Sequence, residues 1–239
     1  MDNDKIRYLI VTTGRSGSSL LSAILADAGA FFNMPNISSW DRIKGAYEHP
    51  KLHSAFKWYS RSQKIVKSVL PSQPWKRLFE IRIQRDLSDL FYDTIFAKST
   101  GLIWLVQRIH KLGYQPKIIV SYRKFEGYAT SRYLRFGWSV PEAVKVYSGV
   151  NSTALLQLQI FGGCAVSYEE LTNTEDQSWA EAISTVTGLN CSRLLQSREK
   201  HSIPILRNST LPIFDEAAND IYTKLLKLKG TVINPQHMT

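Results

Sequence analysis

The chain has 239 residues, 44% of them apolar, and a formal charge of +10. That length suffices for one domain with a sizeable core, and the composition excludes a disordered or collagen-like chain. Two cysteines, Cys164 and Cys191, with no metal-ligand spacing around either, argue against a disulfide framework or a cysteine metal site and fit a reducing compartment.

The basic surplus points to an anionic partner: nucleic acid, a phosphorylated cofactor or a polyanionic acceptor. The opening MDNDKIRYLIV carries acids and too short an apolar run for a signal peptide. No run approaches a membrane span. The expectation is a cytoplasmic protein without a membrane span.

Residues 6–13 are apolar and β-branched, which predicts a buried parallel strand. From Ser19 the apolar positions Leu20, Leu21, Ile24 and Leu25 recur at helical spacing, with Gly29 as a stop. Residues 31–50 read as irregular, punctuated by Pro35, Asn36, Gly45 and Pro50. A basic helix is predicted over 52–69, broken by Pro71 and Pro74, and a mostly helical stretch over 87–112, interrupted near Gly101. PKIIVSYR, residues 116–123, predicts a second strand, followed by a helix over 126–136. Ser139-x-x-Glu142 with Pro141 is a capping box that opens a helix to about residue 160. CAVSYEEL predicts a third strand running into a helix, and two further helices fit 178–187 and 215–228. Residues 234–239 read as a loose tail.

Strands alternating with helices predict an α/β fold of three layers, a central parallel sheet flanked by helices, as one domain over 1–239. Right-handed crossovers put all strand tips on one edge, where such sheets bind ligands.

The first of those tips is TTGRSGSSLL. Glycine permits the sharp turn from strand to helix. The first amides of the helix lack intrahelical partners and carry the positive end of its dipole, so a tetrahedral anion fits there. Arg15 adds charge, and Ser16, Ser18 and Ser19 add hydroxyls. The plain alternative is a strand-to-helix turn with a serine cap. A Walker A loop does not fit, because Gly14 and Gly17 are too close and no lysine follows.

This loop resembles the 5′-phosphosulfate loop of sulfotransferases, matched by Gly14, Arg15, Ser16, Gly17, Ser18 and Ser19. In that family an arginine ends the next strand and a serine follows eight positions later, both on the 3′-phosphate of 3′-phosphoadenosine-5′-phosphosulfate (PAPS). Arg123 and Ser131 stand at that separation in VSYRKFEGYATSRY. Phe125 and Glu126 replace the Pro and Asp common in the family. VSYEEL resembles the family's Tyr-Glu-Asp-Leu strand end, which implies that Tyr168 lies near the adenine; a core tyrosine is the alternative. SREKHS sits where the family brings a late basic segment over the 3′-phosphate, with Arg198 and Lys200 as candidates; a solvated basic turn is the alternative. GAYEHPKLH carries a GxxE element, Gly45 and Glu48, as in the soluble bacterial branch. The resemblance runs in order over nearly the whole chain.

It implies in-line transfer of a sulfuryl group from PAPS to an acceptor hydroxyl, without a metal. Arg15 would neutralise charge on the bridging oxygen. A general base is expected, and Glu48 is the first choice, with His53 and His49 as alternatives. Lys98 falls where relatives carry a lysine facing the transferred group; a snorkelling helix lysine is the alternative. Basic residues with Trp58, Tyr59 and Trp75 among them, over 57–67 and 76–85, suit an acidic saccharide or aromatic acceptor, or are a solvated helix face. The competing functions are a P-loop ATP or GTP enzyme and a basic nucleic-acid-binding module; the RNA-binding and helix-turn-helix signatures are missing.

Overall fold

The computed structural model describes residues 3–33, 47–67, 73–201 and 212–235. The opening apolar run forms β1 (Ile6–Thr12), and the turn after it enters α1 (Ser18–Asp27). A helical hairpin follows, α2 (Pro50–Lys67) against α3 (Gln73–Phe91). Next come β2 (Phe96–Ser99), a 3-10 turn at Leu102–Trp104 and α4 (Val106–Lys111). The second predicted strand is β3 (Gln115–Tyr122), leading into α5 (Phe125–Phe136) and α6 (Val140–Phe161). The rest is β4 (Gly163–Ser167), α7 (Tyr168–Thr172), α8 (Ser178–Thr187), α9 (Cys191–His201), α10 (Glu216–Leu226) and β5 (Val232–Ile233).

The sheet order is β2-β1-β3-β4-β5, parallel except for β5, which pairs antiparallel to β4. The α/β expectation with helices on both faces therefore holds. Side chains alternate across the strands. Leu9, Val11, Ile118, Val120 and Ala165 face one core shared with α2, α3, α4, α6 and α10. Ile10, Ile119, Cys164 and Val166 face the other, shared with α1, α8 and α9. The central strands read as continuous apolar runs because both faces are covered. Both cysteines are free, and full burial pushes the Cys164 thiol up to about 12. Among the described residues no helix is long and apolar enough to cross a membrane, and no cluster of His, Cys, Asp and Glu could hold a metal.

Local signals fixed several boundaries. The Ser139 amide donates to the Glu142 carboxylate at 2.8 Å, closing the capping box on α6. A second box, unrecognised in the sequence, opens α7: the Ser167 amide donates to Glu170 at 2.7 Å and the Glu170 amide to the Ser167 hydroxyl at 3.0 Å.

Four expectations need correction. The stretch over 87–112 is helical at both ends, but between them FAKS forms the edge strand β2, paired to β1 from Tyr8↔Phe96 to Val11↔Ser99. Four residues are too few to show a period. Pro74 does not end a helix but sits in the first turn of α3, where its missing N–H costs nothing. SREKH is the last part of α9, not a turn. The sheet also gains β5 at its edge, just before the predicted tail. Pro71, Gly45 and Ser202 lie outside the described residues.

Candidate functional site

The order 2-1-3-4 places the topological switch between β1 and β3, where connections leave toward opposite faces and open a crevice at the strand tips. The loop of residues 13–17 stands there. Its backbone is left-handed at Gly14 (φ +71°), Arg15 (φ +60°) and Gly17 (φ +81°). For an arginine this conformation costs about 1–2 kcal/mol, which the surroundings must offset. The restraint comes from below: the Gly14 amide donates to the Thr12 hydroxyl at 3.0 Å, and the Ser16 hydroxyl lies 2.5 Å from that of Thr12 and 3.3 Å from that of Ser121. Ser121 in turn donates to the Ser16 carbonyl at 3.2 Å. Ser16, expected to offer its hydroxyl to an anion, is fully buried and bolts the loop to β3 instead.

The intrahelical ladder of α1 begins where the Leu21 amide meets the Gly17 carbonyl at 3.0 Å. The amides of residues 18–20 therefore have no acceptor within the helix. Beside them lies Lys98 of β2, buried to 3% exposure, with Nζ 3.1 Å from Glu48 Oε1 and 3.5 Å from the Ser19 hydroxyl. It is a strand residue in register with Ile10, not a snorkelling helix lysine. A buried ammonium needs such partners, since desolvation costs several kcal/mol. Glu48, Lys98 and Ser19, three candidates from distant parts of the chain, thus meet at one strand tip. His53 is exposed on α2 and is not joined to this cluster by any contact among the described residues. His49 uses Nδ1 to accept from the Lys51 amide at 3.2 Å; burial, helped by the Lys51 charge, lowers its basicity against the pull of Asp93.

The β3 tip carries the second group. Arg123 lies with its guanidinium carbon 4.3 Å from the centre of the Tyr168 ring. That ring also lies against Gly17, where an added Cβ would fall 2.5 Å from Cδ2. Tyr168 is therefore a floor joining the loop to Arg123. The backbone there is held by the Tyr147 hydroxyl, which donates to the Arg123 carbonyl at 2.7 Å, and by the Lys124 amide, which donates to Glu169 at 3.2 Å. Burial raises the Glu169 pKa, opposed by the Lys124 amide and the charges of Arg123 and Lys124. The two tips are also linked directly: Arg15 Nε donates to the Ser131 hydroxyl on α5 at 2.8 Å. Ser131 reaches the loop although α5 starts only two residues after Arg123.

Sequence reasoning missed Arg132. Its guanidinium donates to the Thr13 carbonyl and packs over Trp138, 4.5 Å from the ring centre. An added Cβ on Gly14 would lie 3.0 Å from its Nη2. The only signal was its place next to Ser131, with Tyr128, Phe136 and Trp138 nearby in sequence.

Two candidates fall elsewhere. Arg198 is buried and donates to the carbonyls of Asn173 (3.1 Å), Asp176 (2.8 Å) and Thr174 (3.0 Å), so its guanidinium binds a loop. Lys200 pairs with Asp27 at 2.8 Å, at the last residue of α1. A helix of ten residues spans about 15 Å, so Lys200 sits at the far end from the loop. The helical geometry of α9, unrecognised in the sequence, turns both side chains away from the strand tips.

Gly127 offers a test of the Arg123 position. A Cβ there would lie 2.6 Å from Arg123 Nε, so Gly127→Ala must displace the guanidinium, while alanine favours the helix by up to ~1 kcal/mol. For the donor that the sequence resemblance implies, the expected outcome is an unchanged or slightly raised melting temperature with affinity for adenosine 3′,5′-bisphosphate lowered about tenfold, read by thermal denaturation and calorimetry on the same sample.

No family model matches the chain, and no curated protein sequence matches it. A solved structure does: a sulfotransferase domain from the olefin synthase of Synechococcus PCC 7002 superposes with a TM-score of 0.54 at 15% identity, covering 92% of this chain and 94% of that one. At that identity the likeness is one of fold, and the chain has the P-loop-like α/β fold of this sulfotransferase domain.

Proposed function

We propose that the protein is a PAPS-dependent sulfotransferase acting on a hydroxyl acceptor. The observation that carries this reading is the convergence of Lys98, Arg15 and Arg123 from the ends of the three neighbouring strands β2, β1 and β3, beside an uncapped helix N-terminus and with Arg15 hydrogen-bonded to Ser131. The residues suit a donor with a charged group at each end of a nucleoside. The absence of a Cβ at Gly14 and Gly17 lets Arg132 and Tyr168 close on the loop, and Nε of both Arg123 and Arg132 is buried with no hydrogen-bond partner among the described residues. PAPS, when bound, supplies an activated sulfuryl group and a bisphosphate leaving group.

The chain's own part is positioning and charge compensation, as in phosphoryl transfer. The amides at the start of α1, with Ser18 and Ser19, hold the 5′ end, and Arg15 meets charge on the departing oxygen. Lys98 presents its ammonium at Ser19, where charge would shift between oxygens of the transferred group. Arg123 and Ser131 hold the 3′ end, with Tyr168 as the apolar floor. Glu48, ion-paired to Lys98, accepts the proton of the attacking hydroxyl. The acceptor enters from the side of α2, whose first residues follow Glu48 directly.

Isothermal titration with adenosine 3′,5′-bisphosphate in the presence of a chelator tests the reading. Binding that ATP or GTP does not match supports it. No heat with the bisphosphate, or nucleoside triphosphate binding that requires magnesium, overturns it in favour of an ordinary P-loop enzyme.

A further inference from the structure

We propose that the outer face of the α2–α3 hairpin docks the protein on an anionic lipid bilayer. Residues 50–91 hold nine Lys and Arg against three Asp and Glu, a net +6 of the chain's +10. Two of the three acids are already engaged, Glu80 with Arg108 at 2.7 Å and Asp89 with Lys51 at 3.2 Å. On α2 the exposed side carries Lys57, Arg61 and Lys64.

The composition of α3 decides what kind of anion this face meets. Its inner side buries Ile83, Leu87, Leu90 and Phe91 in the core. Its outer side is apolar as well: Trp75 is 56% exposed, Leu78 38% and Ile81 53%. Trp75, Leu78, Ile81 and Arg85 follow at intervals of three and four and so share one arc of the helix, away from the core. Arg77 is exposed beside them. Between the helices, Arg61 and Arg82 lie over the Trp58 ring at 4.9 and 4.5 Å from its centre. Their guanidinium groups lie on the faces of the ring, so cation and aromatic surface alternate here.

Nucleic acid or an acidic protein needs only the charge. Exposed tryptophan, leucine and isoleucine interleaved with arginine on one helix face is the composition of a helix lying in a membrane interface. Tryptophan settles at the headgroup level and the cations meet the anionic leaflet. The proposal uses none of the residues assigned to the strand-tip site, so it stands or falls apart from the transfer reading.

The test is co-sedimentation of the full chain with unilamellar vesicles of phosphatidylcholine alone or mixed with phosphatidylserine. The expected result is binding to the mixed vesicles only, weakened by salt, with a blue shift of tryptophan fluorescence. Each basic residue near such a surface strengthens binding about fivefold, so Arg77→Gln with Arg85→Gln should lower the partition coefficient roughly 25-fold. Trp75→Ala with Ile81→Ala should lower it about tenfold. All four side chains are exposed, and circular dichroism checks that both variants keep the fold. Equal partition on neutral vesicles, no sedimentation with the mixed ones, or an apolar double variant that binds like the wild type would overturn the proposal; the last result, joined to tight binding of heparin or RNA, would assign the face to a polyanion.

Discussion

Lys98→Met is expected to lower the turnover of sulfuryl transfer by a factor of about 10²–10³ while changing affinity for adenosine 3′,5′-bisphosphate less than about threefold. The split follows from position. On the proposed reading Lys98 stands at the Ser19 end of the crevice, where charge would shift during transfer, and the bisphosphate lacks the transferred group. In a buried setting one ammonium is worth far more than in water, since the effective dielectric is low. Methionine fills a similar volume without the charge, and the partner Glu48 remains 31% exposed and can hydrate. The fold should therefore tolerate the change, with melting shifted by a few degrees at most. Lys98→Arg should not restore the rate, because a planar fork does not occupy the site of a point charge. Glu48→Gln separates the two partners: it keeps a polar side chain beside Lys98 but removes the proton acceptor, so turnover falls while donor binding stays. Transfer from radiolabelled PAPS to a panel of phenol, sterol and sugar hydroxyls provides the readout. Near-normal turnover of Lys98→Met would remove this lysine from the chemistry; near-normal turnover of Glu48→Gln would remove the base.

Why part of this site could be read from the sequence and part could not is a matter of range. The β1 tip was legible because its chemistry is local: strand, two glycines, arginine and helix lie within thirteen residues, and each residue type answers a backbone need. Arg123 and Ser131 were named through the resemblance, by the family's spacing of eight between arginine and serine, and the fold brings the Ser131 hydroxyl to Arg15. Lys98 was placed by resemblance alone, since FAKS is too short to reveal a strand and only pairing with β1 buries the lysine. The inward turn of Ser16 depends on Thr12 and Ser121, and the latter is 105 residues away. Arg198 and Lys200 were misjudged for the same reason. Whether a basic residue faces an anion or binds backbone carbonyls depends on the rotation of α9 against α1 and the 173–176 loop, which no local pattern encodes. Arg132 was the converse case, a residue whose role comes from the loop it touches and not from its own neighbours.

Gly17→Ala should be the most damaging single-atom change in the crevice, because two independent costs meet there. The backbone is left-handed at φ +81°, a conformation that costs an alanine about 1 kcal/mol or more. The added Cβ would also lie 2.5 Å from Cδ2 of Tyr168, nearer than carbon atoms can approach. One of the two must move. If Tyr168 yields, the floor beneath Arg123 shifts, since guanidinium and ring are stacked at 4.3 Å. If the loop yields, Arg15 loses its place against Ser131 and the first amides of α1 turn out of line. Either way both ends of the crevice lose register together. The expected loss of affinity for adenosine 3′,5′-bisphosphate is at least about a hundredfold, with stability lowered by roughly 1–3 kcal/mol. A companion variant distinguishes the causes: Tyr168→Ala removes the obstacle, so the double variant Gly17→Ala/Tyr168→Ala should be no worse than Tyr168→Ala by more than the backbone term. Additive losses in that cycle would mean that the contact between Gly17 and Tyr168 does not couple the two strand tips.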